Sequence, residues 1–222
     1  MNLLALDTAL GAASACVFDS NNAEVLAEER IVLSRGHDLV LLSMLGRVVS
    51  VVGFERIDRV AVSVGPGSFT GLRIGIAAAH GVGLSRDLAV VGVSTLSAFA
   101  APAVEQGGDS PIAAVIDMRH GRVCIGVFAP DGRSLTEPAI VSATEVSRLF
   151  AKRPVRLVGS AAPLVAVECW QRGVAATVVG ETIAPDIRFV ARLGALADPD
   201  DAPPRPLYIK EPDVALPAGA KA

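Results

Sequence analysis

The stretch Val60 to Ser85, VAVSVGPGSFTGLRIGIAAAHGVGLS, limits the fold more than any other part of the 222-residue chain. Val60 to Val64 alternates β-branched with small residues, as a buried strand does, and Gly65-Pro66-Gly67-Ser68 stops it. A helix is predicted next, with Ser68 or Thr70 as its cap, because either hydroxyl accepts from an unpaired amide of the first turn. That helix carries Gly71, Gly75, Gly81 and Gly83 beside Ala77, Ala78 and Ala79. Each interior glycine costs about 1 kcal/mol relative to alanine. A compensating contact is therefore expected, and the simplest is another backbone lying against the face of Gly71, Gly75, Ala78, Ala79 and Val82.

A second helix, His37 to Val52, points the same way. At 100° per residue its apolar side chains cover an arc of roughly 200°, about twice the stripe that a one-sided helix needs. One sheet cannot cover all of it. The expectation is a helical interface with a second polypeptide, made by Leu41, Met44, Leu45, Val48 and Val52 from this helix. Gly71, Arg73, Gly75, Ala78, Ala79 and Val82 would come from the glycine helix. Arg73 has two readings: a cation paired with an acid across that interface, or a solvated arginine near an acid of its own lobe.

Around these helices the chain reads as one plan used twice. Met1 to Leu6, Ala12 to Phe18 and Val25 to Leu33 form an antiparallel meander. The first helix, the Val60 strand, the glycine helix, a strand at Leu88 to Val93 and a helix from Thr95 to Val104 follow, giving βββαβαβα. Glu105 to Pro111, polar and glycine-rich, marks a lobe boundary. Strands at Ala113 to Asp117, Val123 to Phe128 and Ala139 to Ser142 open a second copy. It continues with a helix near Thr144 to Phe150, a strand Val155 to Gly159 and a helix Pro163 to Gln171. A strand Ala175 to Val179 and a helix Pro185 to Leu196 close it. The expected fold is α/β in two lobes, residues 1–106 with the interface helices and a smaller, degenerate 107–222 with an extended tail. In that tail, Leu207-Tyr208-Ile209 is a candidate edge strand and Leu216 to Ala222 is expected to fray.

Composition excludes several classes. Hydrophobic residues make up 51% and mean hydropathy is +0.50. The longest stretch without charge or histidine, Leu88 to Val104, still falls short of the roughly 20 apolar residues of a membrane span. Asp7 interrupts the first apolar run and no basic residue precedes it, so no secretory signal is expected and a cytoplasmic location is. Net charge −3 with scattered arginines argues against holding nucleic acid alone. Cys16, Cys124 and Cys169 lie far apart among apolar residues, which suits reduced core thiols better than disulfides or zinc.

Particular motifs go further. LALDTAL near the start, GPGSFTGLRIGIA after the fourth strand, Asp117-x-Arg119, and Pro206-Leu-Tyr-Ile near the end resemble the TsaB (YeaZ) family, within the actin, Hsp70 and sugar-kinase superfold. The resemblance implies a non-catalytic scaffold subunit of the machinery that makes threonylcarbamoyladenosine beside the tRNA anticodon. Such subunits homodimerise or pair with the catalytic paralogue TsaD through helices of the first lobe. TsaE, an ATPase, joins that pair, and tRNA is reached only through the complex. No cofactor is implied. TsaD-like members bind metal through two histidines of the first long helix, whereas Arg35 to Leu41 offers only His37, so no metal site carries over.

Asp7, Thr8, Gly67 and Ser68 remain as a candidate vestigial nucleotide site. The superfold places an acid at Asp7 to organise phosphate or a magnesium water, yet an Asx or Thr turn is the favoured account of Asp7 and Thr8. The loop lacks the Gly-Lys-Ser/Thr of a Walker motif, and its G-x-G-x-x-x-G spacing is one residue longer than the dinucleotide fingerprint. A small-molecule kinase or ATPase is the alternative function. A metallopeptidase is disfavoured, since no H-E-x-x-H occurs and His37, His80 and His120 are far apart in sequence.

Overall fold

A computed structural model describes residues 1–180 and 183–209. In the first half, β1 (Asn2–Asp7), β2 (Ala12–Asp19) and β3 (Glu24–Val32) form the meander, followed by α1 (His37–Ser50), β4 (Arg59–Gly65), α2 (Phe69–Arg86), β5 (Ala89–Ser94) and α3 (Thr95–Glu105). The second half repeats the order with β6 (Ile112–Asp117), β7 (Arg122–Phe128), β8 (Ala139–Ser142), α4 (Ala143–Leu149), β9 (Val155–Val158), α5 (Ala162–Gln171), β10 (Ala176–Val178) and α6 (Ile187–Leu196). The sheets run β3-β2-β1-β4-β5 and β10-β9-β6-β7-β8, so both halves share one strand order. β1, β4 and β5 pair in parallel, and β1 and β4 are buried on both faces, which is why they read as continuous apolar runs.

Packing does not follow the sequence halves. α1 and α2 cover one face of the first sheet, where Leu4, Leu6, Val60 and Val62 meet Leu41, Met44 and Leu72. The other face, Leu3, Ala5, Cys16 and Ala61, is covered by Ile187, Val190 and Ala191 of α6, which comes from the second half. Conversely, Leu96, Phe99 and Ala103 of α3 pack on Ile112, Ala114 and Ile116 of the second sheet. Two arginines secure the exchange. Arg59 donates to the carbonyls of Gly194, Ala195 and Ala197 at the end of α6, and Arg156 to those of Ala103, Gly107 and Ser110 after α3.

The expected interface set needs correction here. Leu41, Met44, Leu45 and Val48 are buried under their own chain, as are Gly71, Gly75 and Ala79. The sheet is wide enough to cover the larger part of α1's apolar arc, and of these residues Leu41 still lines the groove between α1 and α2. Val52, Ala78 and Val82 are half-buried and Arg73 is exposed. The three cysteines are buried in three different apolar clusters. Leu207 to Ile209 forms no strand; the segment is extended and held by Leu207 N donating to Val64 O at 2.7 Å. The expected fraying of 216–222 lies outside the described residues. Among the described residues no helix is long and apolar enough to cross a membrane.

Candidate functional site

The glycine helix gets its close backbone approach, from within the chain. A Cβ on Gly71 would lie 2.1 Å from Thr8 O, and one on Gly75 would lie 2.5 Å from Thr8 Oγ1. Thr8 Oγ1 donates to Gly71 O at 2.7 Å, and Ser68 N donates to Ala9 O at 2.7 Å. The β1–β2 turn is thus seated on the start of α2, and Gly67, whose Cβ would strike Ala9 O at 2.5 Å, completes the fit. Ser68 is the helix cap, its Oγ accepting from Gly71 N at 3.3 Å. Asp7, Thr8, Gly67 and Ser68 are brought together as expected, but as a packed joint in which Asp7 and Thr8 have no surface. Asp7 Oδ1 accepts from Ala9 N at 3.4 Å, the Asx-turn arrangement. Burial pushes its carboxyl up to about 6, against the opposing pull of Ser63, the Ala9 amide, His37 and Arg30.

The far side of the helix layer has no such cover. Leu39 and Leu42 of α1 are 82% and 70% exposed, and Leu84 of α2 is 84% exposed. Between the helices runs an apolar groove of about 490 Å³ with Leu42, Phe54, Ile74, Ala77, Ala78 and Gly81 in its walls. A Cβ on Gly81 meets nothing within 4 Å, so this glycine, unlike Gly71, has no partner among the described residues of its own chain. Ala78 and Val82, expected from the sequence, line this side, whereas the exposed leucines are not in the expected set. Leu39 and Leu84 were the available signal, large apolar side chains out of phase with the buried stripe.

Among the described residues Arg73 is exposed and set against aromatic side chains rather than an acid. Its guanidinium lies 3.8 Å from the Phe69 ring centroid, and its Nε donates to Tyr208 Oη at 3.1 Å. It pins the C-terminal segment to α2 instead of meeting an acid.

Between the lobes lies a cleft of about 550 Å³. Gly67, Ser68 and His37 line it from the first lobe, and Asp117, Arg119 and Ser160 from the second. His37 Nε2 is 2.9 Å from Leu10 O. Asp117 accepts from Arg119 N at 2.7 Å, and its own amide donates to Ser160 Oγ at 3.0 Å. Asp7 does not line the cleft, because the β1–β2 turn closes over it.

Two mixed sheets of one strand order, with helices exchanged between them, define an actin-like two-lobed α/β protein. A protein with actin-like ATPase fold from Bacteroides thetaiotaomicron superposes with a TM-score of 0.50 at 11% identity, covering 86% of this chain and 95% of that one. YeaZ from Pseudomonas aeruginosa superposes with a TM-score of 0.75 at 24% identity, covering 94% of this chain and 99% of that one. The profile described as TsaD, tRNA N6-adenosine threonylcarbamoyltransferase, matches residues 28–162. The tRNA threonylcarbamoyladenosine biosynthesis protein TsaB of Escherichia coli is 36% identical over 125 residues, 55% of this chain and 53% of that protein. The chain belongs to the TsaB/YeaZ family. It matches about half the length of the curated relatives it resembles.

Proposed function

We propose that this chain is a non-catalytic adaptor of threonylcarbamoyladenosine formation in tRNA, acting in the cytoplasm. It pairs through the outer face of α1 and α2 with a TsaD-like catalytic paralogue or with a second copy of itself. A TsaE-like ATPase joins that pair, and tRNA is met through the assembly. The observation that carries this reading is the apolar groove lined by Leu42, Phe54, Ile74 and Ala78, with Leu39 and Leu84 standing in water on the flanks of the same two helices. A folded chain gains by covering such a patch, and a matching pair of helices is the shape that fits between two parallel ridges. The non-catalytic reading is supported by the joint around Thr8, which encloses Asp7, the acid that the resemblance places to organise a phosphate.

Purification of the tagged chain from its own cells, with mass identification of what accompanies it, tests the reading. A TsaD-like protein in near-equal amount is expected, and its loss on Leu39→Glu with Leu84→Glu. Association that survives both changes would overturn the assignment of the surface. The interlobe cleft favours a second reading, a small-molecule kinase or ATPase. ATP turnover by the purified chain, lost on Ser68→Ala or Arg119→Ala, would establish it and displace the first.

A further inference from the structure

The face of the first sheet turned toward α6 carries a row of polar side chains in an otherwise apolar surface. Ser14 on β2 stands opposite Asp7 on β1, and Arg30 on β3 stands opposite Ser14. Leu6 pairs with Val62 in the parallel β1–β4 ladder, so Ser63 comes next to Asp7. Strand alternation places these residues with Leu3, Ala5, Cys16 and Ala61, on the opposite side of the sheet from α1 and α2.

Asp7 and Ser14 are 0% exposed and Ser63 is 2% exposed. Asp7 Oδ2, Ser14 Oγ and Ser63 Oγ make no hydrogen bond of normal geometry among the described residues, although the Ser63 hydroxyl lies near enough to Asp7 to pull its carboxyl down. The segment leading into α6 roofs the row. Gly11 N donates to Ile183 O at 3.2 Å at one end and Cys16 Sγ donates to Ile187 O at 3.8 Å at the other, with Ser14 between them. A buried polar atom left unpaired destabilises the fold by its lost hydration. Three side by side would remove a large share of the margin by which a domain is stable. Partners from solvent resolve this. The Arg30 guanidinium on the flank of the row disfavours a metal ion. Water donates to a carboxylate and both donates to and accepts from a serine hydroxyl.

We propose that one or two internal water molecules occupy this row and bridge Asp7 Oδ2 to Ser14 and Ser63. A chain of this length carries about eight such buried waters, each with about three hydrogen bonds, so the site asks for nothing unusual. The waters fix Asp7 at the end of β1. The next two residues, Thr8 and Ala9, clamp the start of α2. The acid that reads in sequence as a phosphate organiser is then the anchor of the joint that positions α2.

A high-resolution crystal structure of the full chain at pH 8 tests this. Density peaks about 2.6–3.2 Å from Asp7 Oδ2 and from at least one serine Oγ are the expected result. A dry row with both hydroxyls bonded to backbone carbonyls would overturn the proposal, as would a peak at the roughly 2.0–2.6 Å of a bound divalent cation. In solution, Ser63→Ala should raise the Asp7 carboxyl midpoint, followed by carbon NMR, by about 1 pH unit. The same change should increase amide exchange at Gly71 and Leu72 about tenfold with the circular dichroism spectrum intact. A midpoint and exchange rates that do not move would contradict the anchoring role.

Discussion

The two faces of α2 use small residues for opposite ends. On the inner face, Gly71 and Gly75 are small because Thr8 occupies the space a side chain would need. On the outer face, Ala77, Ala78 and Gly81 are small beside a groove that the chain leaves open. Composition alone cannot tell these cases apart, since both read as glycine and alanine at helical spacing. Only the position of the β1–β2 turn separates a filled contact from a vacant one. Within one helix the first kind of glycine stabilises this chain, and the second costs it stability while keeping a surface shallow.

That difference can be broken at several points, the largest expected effect being at the inner face. Gly71→Ala forces a methyl group against Thr8 O and should lower unfolding free energy by about 3 kcal/mol in urea titration. A loss below about 1 kcal/mol would mean that the turn yields easily and that the joint is not tight.

The buried acid beside that joint gives a comparable effect of opposite sign. Asp7 titrates at about 6 in the folded chain against 3.8 for a free side chain. The folded state therefore binds the proton more tightly, and the charged carboxylate penalises folding above pH 6. Stability should rise as pH falls from about 6 to about 4, by up to about 3 kcal/mol, and thermal melting across that window reads it. Asp7→Asn should flatten this slope and raise stability at pH 7. An unchanged slope would place the titration elsewhere.

Gly81→Ala sharpens the comparison at the outer face. The added methyl meets nothing within 4 Å, so the isolated chain should gain about 1 kcal/mol. If a partner's helix lies close over Gly81, the same change weakens association. A variant that is more stable alone and weaker in complex, read by melting and by titration calorimetry, separates the two faces in one residue.

Much of the fold was legible in the sequence, and for definite reasons. Strand alternation, the breakers at Gly65 to Ser68 and at Glu105 to Pro111, and the capping residue Ser68 marked the elements and the repeated order. What stayed hidden depended on contacts distant in sequence. Nothing local in Ile187 to Leu196 says that this helix covers the first sheet rather than the second. The roughly 200° arc of the first helix is too wide for a one-sided helix, yet most of it lies on the sheet, with Val40 and Val52 half-buried and Leu42 and Val51 exposed. Gly67 and Gly71 do meet a close backbone, and it is the β1–β2 turn of their own chain rather than a second polypeptide. Arg73 escaped because its partners, Phe69 and Tyr208, are aromatic, whereas charge arguments look for acids. Ser14 and Ser63 gave no sign of their shared row until strand register placed them on either side of Asp7.

The most direct test concerns Leu42, which is 70% exposed and lines the groove without supporting the core. The wild-type chain and Leu42→Glu are each mixed with the TsaD-like paralogue, and the mass of the product is measured by light scattering together with the melting temperature of each chain alone. The account predicts a pair for the wild type, separate chains for the variant, and melting temperatures within about 2 °C of each other. A variant that pairs as the wild type does would contradict it.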